Sequence, residues 1–219
     1  MQIKVCGMKN PQNIEAVLQL KPNYLGFIFY DQSPRFVANL PETLLQNIPN
    51  TVEKVAVFVN ETLANIFPIT QKYQLKTIQL HGQESPLFCK NLQAEGFKVW
   101  KAFNIAEIKD IEHIANYAEV IDLAVLDAKG KSLGGNGTVF DWNLLENYTY
   151  KVPFLLSGGI SMDNIAKVLQ LKHEQLVGID VNSKFELEAG IKDVFALQSL
   201  FAILSQSLQK KEENITKLL

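Results

Sequence analysis

Arginine is almost missing from this chain: of 21 basic residues in 219, only Arg35 is an arginine and the other 20 are lysines. Coding bias toward lysine accounts for the depletion, which makes the one retained guanidinium a position to watch. Cysteine is scarce as well. Cys6 and Cys89 are too few for a disulfide framework, so a reducing, cytoplasmic setting is the expectation. The three histidines, His81, His113 and His173, form no cluster with metal-ligand spacing, so no metal is expected. Neither sign of charge dominates, and a net charge of −2 gives a nucleic acid or other polyanion nothing to grip. Long hydrophobic runs are absent too. Leu25 to Tyr30, one of the longest, is strand-length and far short of a membrane span. The opening MQIKVCGMK lacks the apolar stretch of a secretory signal, so none is expected.

What is present is an ordinary globular composition, 47% hydrophobic and 20% charged, in a chain long enough for a substantial core. Short β-branched or aromatic runs alternate with segments of helical period. The expected strands are Ile3–Cys6, Tyr24–Phe29, Lys54–Val59, Thr77–His81, Lys98–Phe103, Asp122–Asp127, Phe154–Ser157 and Leu176–Val181. The expected helices are Pro11–Leu20, Glu42–Asn47, Thr62–Tyr73, Pro86–Glu95, Ile105–Tyr117, Trp142–Tyr148, Met162–Gln170 and Val194–Leu204. Eight strand–helix pairs with nothing left over favour closure over an open doubly wound sheet. The expectation is one α/β domain over residues 1–219, a (β/α)8 TIM barrel, with 209–219 as a helical extension or frayed tail.

In such a barrel catalytic groups sit at the carboxyl ends of the strands and in the loops that follow. Four strand ends carry residues a purely structural core would not choose: Cys6, His81, Asp127 and Asp180. Alternation along strand 1 points Lys4 and Cys6 inward, and a cation so close is expected to lower the thiol pKa. Asp127 follows an apolar strand, where desolvation would raise its pKa and keep it available as a general acid; a loop-capping carboxylate is the plainer alternative. His81 is expected to position substrate, or to serve only as a hydrogen-bonded structural residue. Cys89, on the fourth helix, is expected to fill core space. The glycine-rich loop Ala128–Thr138 reads as a mobile lid; its Gly130-Lys131-Ser132 lacks the earlier glycine of a nucleotide P-loop. Gly158 and Gly159 after strand 7, with Asn182 and Ser183 after strand 8, fit the phosphate site such barrels build there, although glycines also make plain tight turns. Arg35, fixed behind Pro34 in the loop after strand 2, suits a substrate carboxylate or a surface ion pair.

Taken in order, these segments resemble the phosphoribosylanthranilate isomerase family over almost the whole chain. The carriers are Lys4-Val5-Cys6-Gly7-Met8, Asn10-Pro11, Gly26-Phe27-Ile28-Phe29, Ser33-Pro34-Arg35, Gln79-Leu80-His81-Gly82 and Leu126-Asp127. They continue with Gly134-Gly135-Asn136-Gly137, Phe140-Asp141-Trp142, Ser157-Gly158-Gly159 and Gly178-Ile179-Asp180-Val181-Asn182-Ser183. Two departures follow the eighth strand: Lys184 where a small residue is usual, and Ala189 where proline is usual. The resemblance implies an Amadori rearrangement in tryptophan biosynthesis, with Asp127 as the acid on the ring oxygen and Cys6 as the base at sugar C2. It implies a phosphate on Gly158, Gly159, Asn182 and Ser183, a carboxylate on Arg35, and Asp180 near the cationic intermediate or a sugar hydroxyl. It implies no cofactor, because the substrate's own nitrogen forms the imine. The partner implied is a small phosphorylated molecule, and the chain a monomer or homodimer. Three readings compete on the same barrel, one of them a second isomerase activity on a related aminoaldose. A pentose-phosphate epimerase would call for metal-linked acids and histidines, and a non-catalytic phosphosugar binder would be free to lose Cys6 or Asp127.

Overall fold

The computed structural model describes residues 1–128 and 139–216, with 208–216 as backbone only. Eight parallel strands close into a barrel in chain order: β1 (Gln2–Val5), β2 (Tyr24–Ile28), β3 (Glu53–Phe58), β4 (Thr77–Leu80), β5 (Lys98–Ile105), β6 (Leu123–Ala128), β7 (Phe154–Leu156) and β8 (Leu176–Val181). Around them lie α1 (Pro11–Leu18), α2 (Glu42–Gln46), α3 (Leu63–Tyr73), α4 (Pro86–Ala94), α5 (Ile108–Glu112), α6 (Ile165–Val168) and α7 (Val194–Thr216). Local chemistry sets several starts. Asn10 caps α1 through the Asn13 amide and Ser85 caps α4 through the Phe88 amide, each followed by proline at the first helical position.

Three expected helices are cut short. β5 runs on to Ile105, so α5 starts only at Ile108, opened by a Glu107–Asp110 capping box, and tightens into a 3-10 turn over His113–Tyr117. Trp142–Asn147 is 3-10 throughout, and the helix after β7 shrinks to Ile165–Val168. Segments this short gain few backbone bonds for the entropy they lose, so packing decides their form. A hairpin not foreseen from the sequence, β9 (Glu186–Glu188) against β10 (Ile191–Lys192), stands between β8 and α7. The departures at Lys184 and Ala189 fall in the 3-10 turn Ser183–Phe185 and in the link between these two strands. The expected lid, residues 129–138, lies outside the described residues.

The main core fills the shell between sheet and helices, while a smaller apolar cluster of Val55, Trp100, Ala102, Leu123, Val125 and Leu155 plugs the barrel itself. Tyr24 meets Trp100 edge to face at 4.9 Å at its floor. Toward the carboxyl ends the inward positions turn polar, starting with Lys4, which is fully buried. β1 and β8 close the barrel with Lys4 opposite Asp180 in register, and Lys4 Nζ donates to Asp180 Oδ2 at 2.8 Å. Burial works against the Lys4 ammonium, but the Asp180 carboxylate and the Cys6 sulfur outweigh it and hold its pKa above the ordinary lysine value. Removing one partner therefore leaves a stranded charge. Asp180→Ala is expected to lower stability by about 3–5 kcal/mol, and adding Lys4→Met to restore most of that loss. Urea unfolding of the two single variants and the double variant checks this; a double variant less stable than Asp180→Ala refutes it.

Candidate active site

A cavity of about 530 Å³ opens at the carboxyl ends of the strands. All nine residues singled out from the sequence line it: Cys6, Arg35, His81, Asp127, Gly158, Gly159, Asp180, Asn182 and Ser183. Gln79, Ser157 and Lys184 join them.

Cys6 lies immediately past β1, with its amide donating to the Val181 carbonyl at 2.9 Å, so the sulfur is held at the seam where the barrel closes. Space for it comes from the neighbouring strand. A Cβ at Gly26 would stand 2.7 Å from the Cys6 sulfur and 3.1 Å from Lys4 Nζ, so no larger residue fits there. Lys4 does pull the thiol pKa down, as expected, but the expected net lowering is not what results. Burial is the larger influence, and with Asp180 it outweighs the pull of Lys4 and Lys192, leaving the thiol above its ordinary range. Lys4 is already engaged by Asp180, which is why it cannot serve the sulfur alone.

Asp127, near the end of β6, accepts from the Ala128 amide at 2.8 Å. Burial first, and Asp180 second, push its pKa up to about 6 against that hydrogen bond, Lys4 and Ser157. That matches the expectation of a carboxyl available in its acid form near neutrality. His81 Nε2 lies 3.7 Å from Asp127 Oδ2, too far for a hydrogen bond, while Nδ1 meets Gln79 Nε2 at 3.1 Å. Burial, then Lys101 and Lys4, pull His81 down to about 3, so it is a neutral imidazole. With Nδ1 accepting from Gln79, Nε2 carries the proton. Three buried polar atoms of the cavity residues, Gln79 Oε1, His81 Nε2 and Asp180 Oδ1, have no hydrogen-bond partner among the described residues. Such atoms are costly unless a ligand satisfies them.

Gly158 and Gly159 turn the chain after β7 at φ +78° and +64°, where side chains are disfavoured. A Cβ on Gly158 would also reach within 2.4 Å of the Ala128 nitrogen and 2.6 Å of Asp127 Oδ1. The glycine thus seats this turn directly on the Asp127 carboxyl. Asn182 Oδ1 accepts from Lys192 Nζ at 2.6 Å, which leaves the side-chain NH2 of Asn182 as a donor. Arg35 is on the cavity wall, mostly buried, and one edge of its guanidinium is already taken. Its Nε lies 3.0 Å from both oxygens of Glu186, and its Nη2 lies 2.6 Å from Oε2. Glu186 and Lys192 gave no signal in the sequence: they lie on the unforeseen hairpin and look there like ordinary surface charges. Among the described residues no group of three or more His, Cys, Asp or Glu could hold a metal ion, and no helix is long and apolar enough to cross a membrane.

Fold and cavity together define a (β/α)8-barrel enzyme whose cavity unites a strand-end thiol, a carboxyl of raised pKa and a glycine turn. The chain belongs to the N-(5'-phosphoribosyl)anthranilate isomerase family, whose model matches residues 3–202. The enzyme of that name from Phocaeicola vulgatus is 43% identical over 209 residues, covering 95% of this chain and all of the relative. The Thermus thermophilus phosphoribosyl anthranilate isomerase superposes with a TM-score of 0.81 over 94% of this chain and 99% of its own, at 24% identity, which shows the shared barrel. A phosphoribosyl anthranilate isomerase solved with reduced 1-(o-carboxyphenylamino)-1-deoxyribulose 5-phosphate superposes at 0.78 and 27% identity, over 92% of this chain and 96% of its own.

The raised Asp127 pKa has a consequence for stability. The folded state holds this proton more tightly than the unfolded chain, so its contribution is complete below about pH 4 and is lost as pH rises through about 6. Asp127→Asn removes the titration. Relative to wild type, the variant is expected to gain up to about 3 kcal/mol between pH 4 and pH 7, with no further change above. Denaturation midpoints across that range measure it. A constant difference between the two proteins would mean that Asp127 titrates normally.

Proposed function

We propose that Asp127 and Cys6 are the acid and base with which this isomerase of tryptophan biosynthesis rearranges N-(5-phosphoribosyl)anthranilate to its 1-deoxyribulose product. Asp127 gives its proton to the furanose ring oxygen as the C1–O bond breaks and the anthranilate nitrogen forms the iminium. That cation acidifies the C2 proton, which Cys6 removes. The resulting enolamine becomes the ketone as C1 takes up a proton and the 2-hydroxyl loses one, so the atoms balance without a cofactor. Asp180 Oδ1, which has no hydrogen-bond partner among the described residues, can face the cation or a sugar hydroxyl. Gly158, Gly159, Asn182 and Ser183 receive the phosphate, and Arg35 the carboxylate. The observation that carries this reading is one cavity uniting a carboxyl with a pKa near 6, a strand-end thiol and a glycine turn built onto that carboxyl. A metal-dependent epimerase is disfavoured by its residues, because the one histidine in the cavity is held by Gln79 and has no metal-ligand cluster around it among the described residues.

The two pKa directions set the shape of the pH profile. The working form pairs an ionised thiol with a protonated carboxyl, yet the thiol is the weaker acid of the two. This form is a fixed minority across the neutral range and falls away outside it. The kcat/KM profile is therefore expected to rise through about pH 6, where the free enzyme's Asp127 titrates, and to fall only in the alkaline range of the thiol. Following loss of substrate fluorescence with purified protein tests activity and profile together. Cys6→Ser and Asp127→Asn should each lower kcat by at least about 100-fold. Retention of a tenth of the turnover by either variant would remove that residue from the mechanism.

Arg35→Lys keeps the charge and loses the fork. Because the contact exists in ground and transition states alike, the loss should fall mainly on KM, roughly ten- to a hundredfold. A substrate analogue without the carboxylate should show little difference between the variant and wild type. Equal impairment on both substrates would mean that Arg35 only holds its loop.

A further inference from the structure

Glu186 and Lys192 are cross-strand partners on β9 and β10, and both are removed from solvent. Glu186 uses every lone pair within reach. Oε1 accepts from Lys192 Nζ at 2.6 Å and from the Gly190 amide at 3.1 Å, and both oxygens clasp the Nε and Nη2 edge of Arg35. The end-on edge of the guanidinium, Nη1 with the second hydrogen of Nη2, stays open, and Nη1 has no partner among the described residues. A planar fork gripped along one edge can present the other in only one direction. On the opposite side Lys192 Nζ reaches Asn182 Oδ1 at 2.6 Å. The backbone of Lys192 is itself clamped by α1, through Asn13 Oδ1 to its amide at 2.7 Å and Asn13 Nδ2 to its carbonyl at 3.0 Å. One carboxylate between two cations leaves a unit of positive charge unmatched at the cavity wall, which suits an anionic ligand.

We propose that Glu186 and Lys192 are positioning residues that hold Arg35 and Asn182 at a fixed separation, so that the barrel grips the carboxylate and phosphate ends of one substrate at once. Neither touches the reacting atoms; Glu186 acts through Arg35 and Lys192 through Asn182. The inference rests on the reading that Arg35 receives the substrate carboxylate. It assigns to the hairpin after β8 a role in choosing anthranilate-bearing phosphosugars over shorter ones, because a single rigid unit spans both anion subsites.

The test is a set of steady-state measurements on Glu186→Gln, Glu186→Ala, Arg35→Lys and Lys192→Met, and on Glu186→Ala combined with Arg35→Lys. Each is run with the natural substrate and with the analogue lacking the carboxylate, and with ribose 5-phosphate as a competitive inhibitor. Glu186→Ala is expected to raise KM for the natural substrate by about ten- to a hundredfold, to move kcat far less, and to leave the analogue nearly unaffected. Glu186→Gln, which keeps the shape and one acceptor, should fall between it and wild type. The double variant should be no worse than Arg35→Lys alone, since the first residue acts through the second. Lys192→Met should weaken inhibition by ribose 5-phosphate, which Glu186→Ala leaves in place. Additive losses in the double variant, or a Glu186→Ala defect equal on both substrates, overturn the proposal while leaving the Arg35 reading intact. If Arg35→Lys itself does not discriminate between the substrates, the carboxylate reading fails and takes this proposal with it. Should Glu186→Ala not fold, Glu186→Gln carries the same comparison.

Discussion

The pairing of the first strand with the last is the constraint on which the rest of this structure depends. A lysine four residues from the start meets an aspartate 176 residues later, in register, inside the barrel. Neither charge would be tolerated there alone, so the seam has one acceptable register. A slip of either strand by one residue would turn its own charge outward, leave the other stranded and bring apolar neighbours inward. The same seam sets Cys6 against Val181, with Asp180 and Asn182 on the adjacent strand end. The cavity is thus assembled by closure, from residues that no local segment brings together.

Burial then differentiates groups that would be unremarkable in water. It raises one carboxyl to the edge of neutrality, drives an imidazole far below it and keeps a thiol protonated. The nearby lysines oppose it for the thiol and the aspartates, and for the thiol they lose because burial, helped by the charge of Asp180, is larger than their pull; Lys4 is paired with Asp180 and Lys192 with Glu186. Proximity of a cation is a poor guide to a pKa when that cation already has a closer partner.

Strand positions were legible because β-branched runs of strand length between helical periods have one economical reading, a parallel sheet, and eight of them fill a barrel. Cys6 and Asp127 were legible because a polar side chain at the end of an apolar strand stands out against its neighbours. The short turns after β5, β6 and β7 were not, since so few residues carry too little helical preference to choose between α and 3-10 forms. The β9–β10 hairpin was invisible for a related reason: strands of three and two residues have no period. With it went Glu186 and Lys192, whose significance exists only once Arg35 and Asn182, 151 and 10 residues away in sequence, have folded against them. Arg35 itself was conspicuous by rarity, but rarity could not say which carboxylate its side edge would meet.

That rarity has a practical side. An α-dicarbonyl reagent condenses with guanidinium nitrogens, and this chain has a single guanidinium to offer among 20 lysines. Labelling therefore amounts to a one-site chemical footprint, read as a single mass increment on the intact chain. The flank of Arg35 is shielded by Glu186, so the reagent must approach from the cavity side, where a ligand on the proposed carboxylate subsite would stand in its path. The protein carries its own occupancy sensor, with no background from any other residue of that kind.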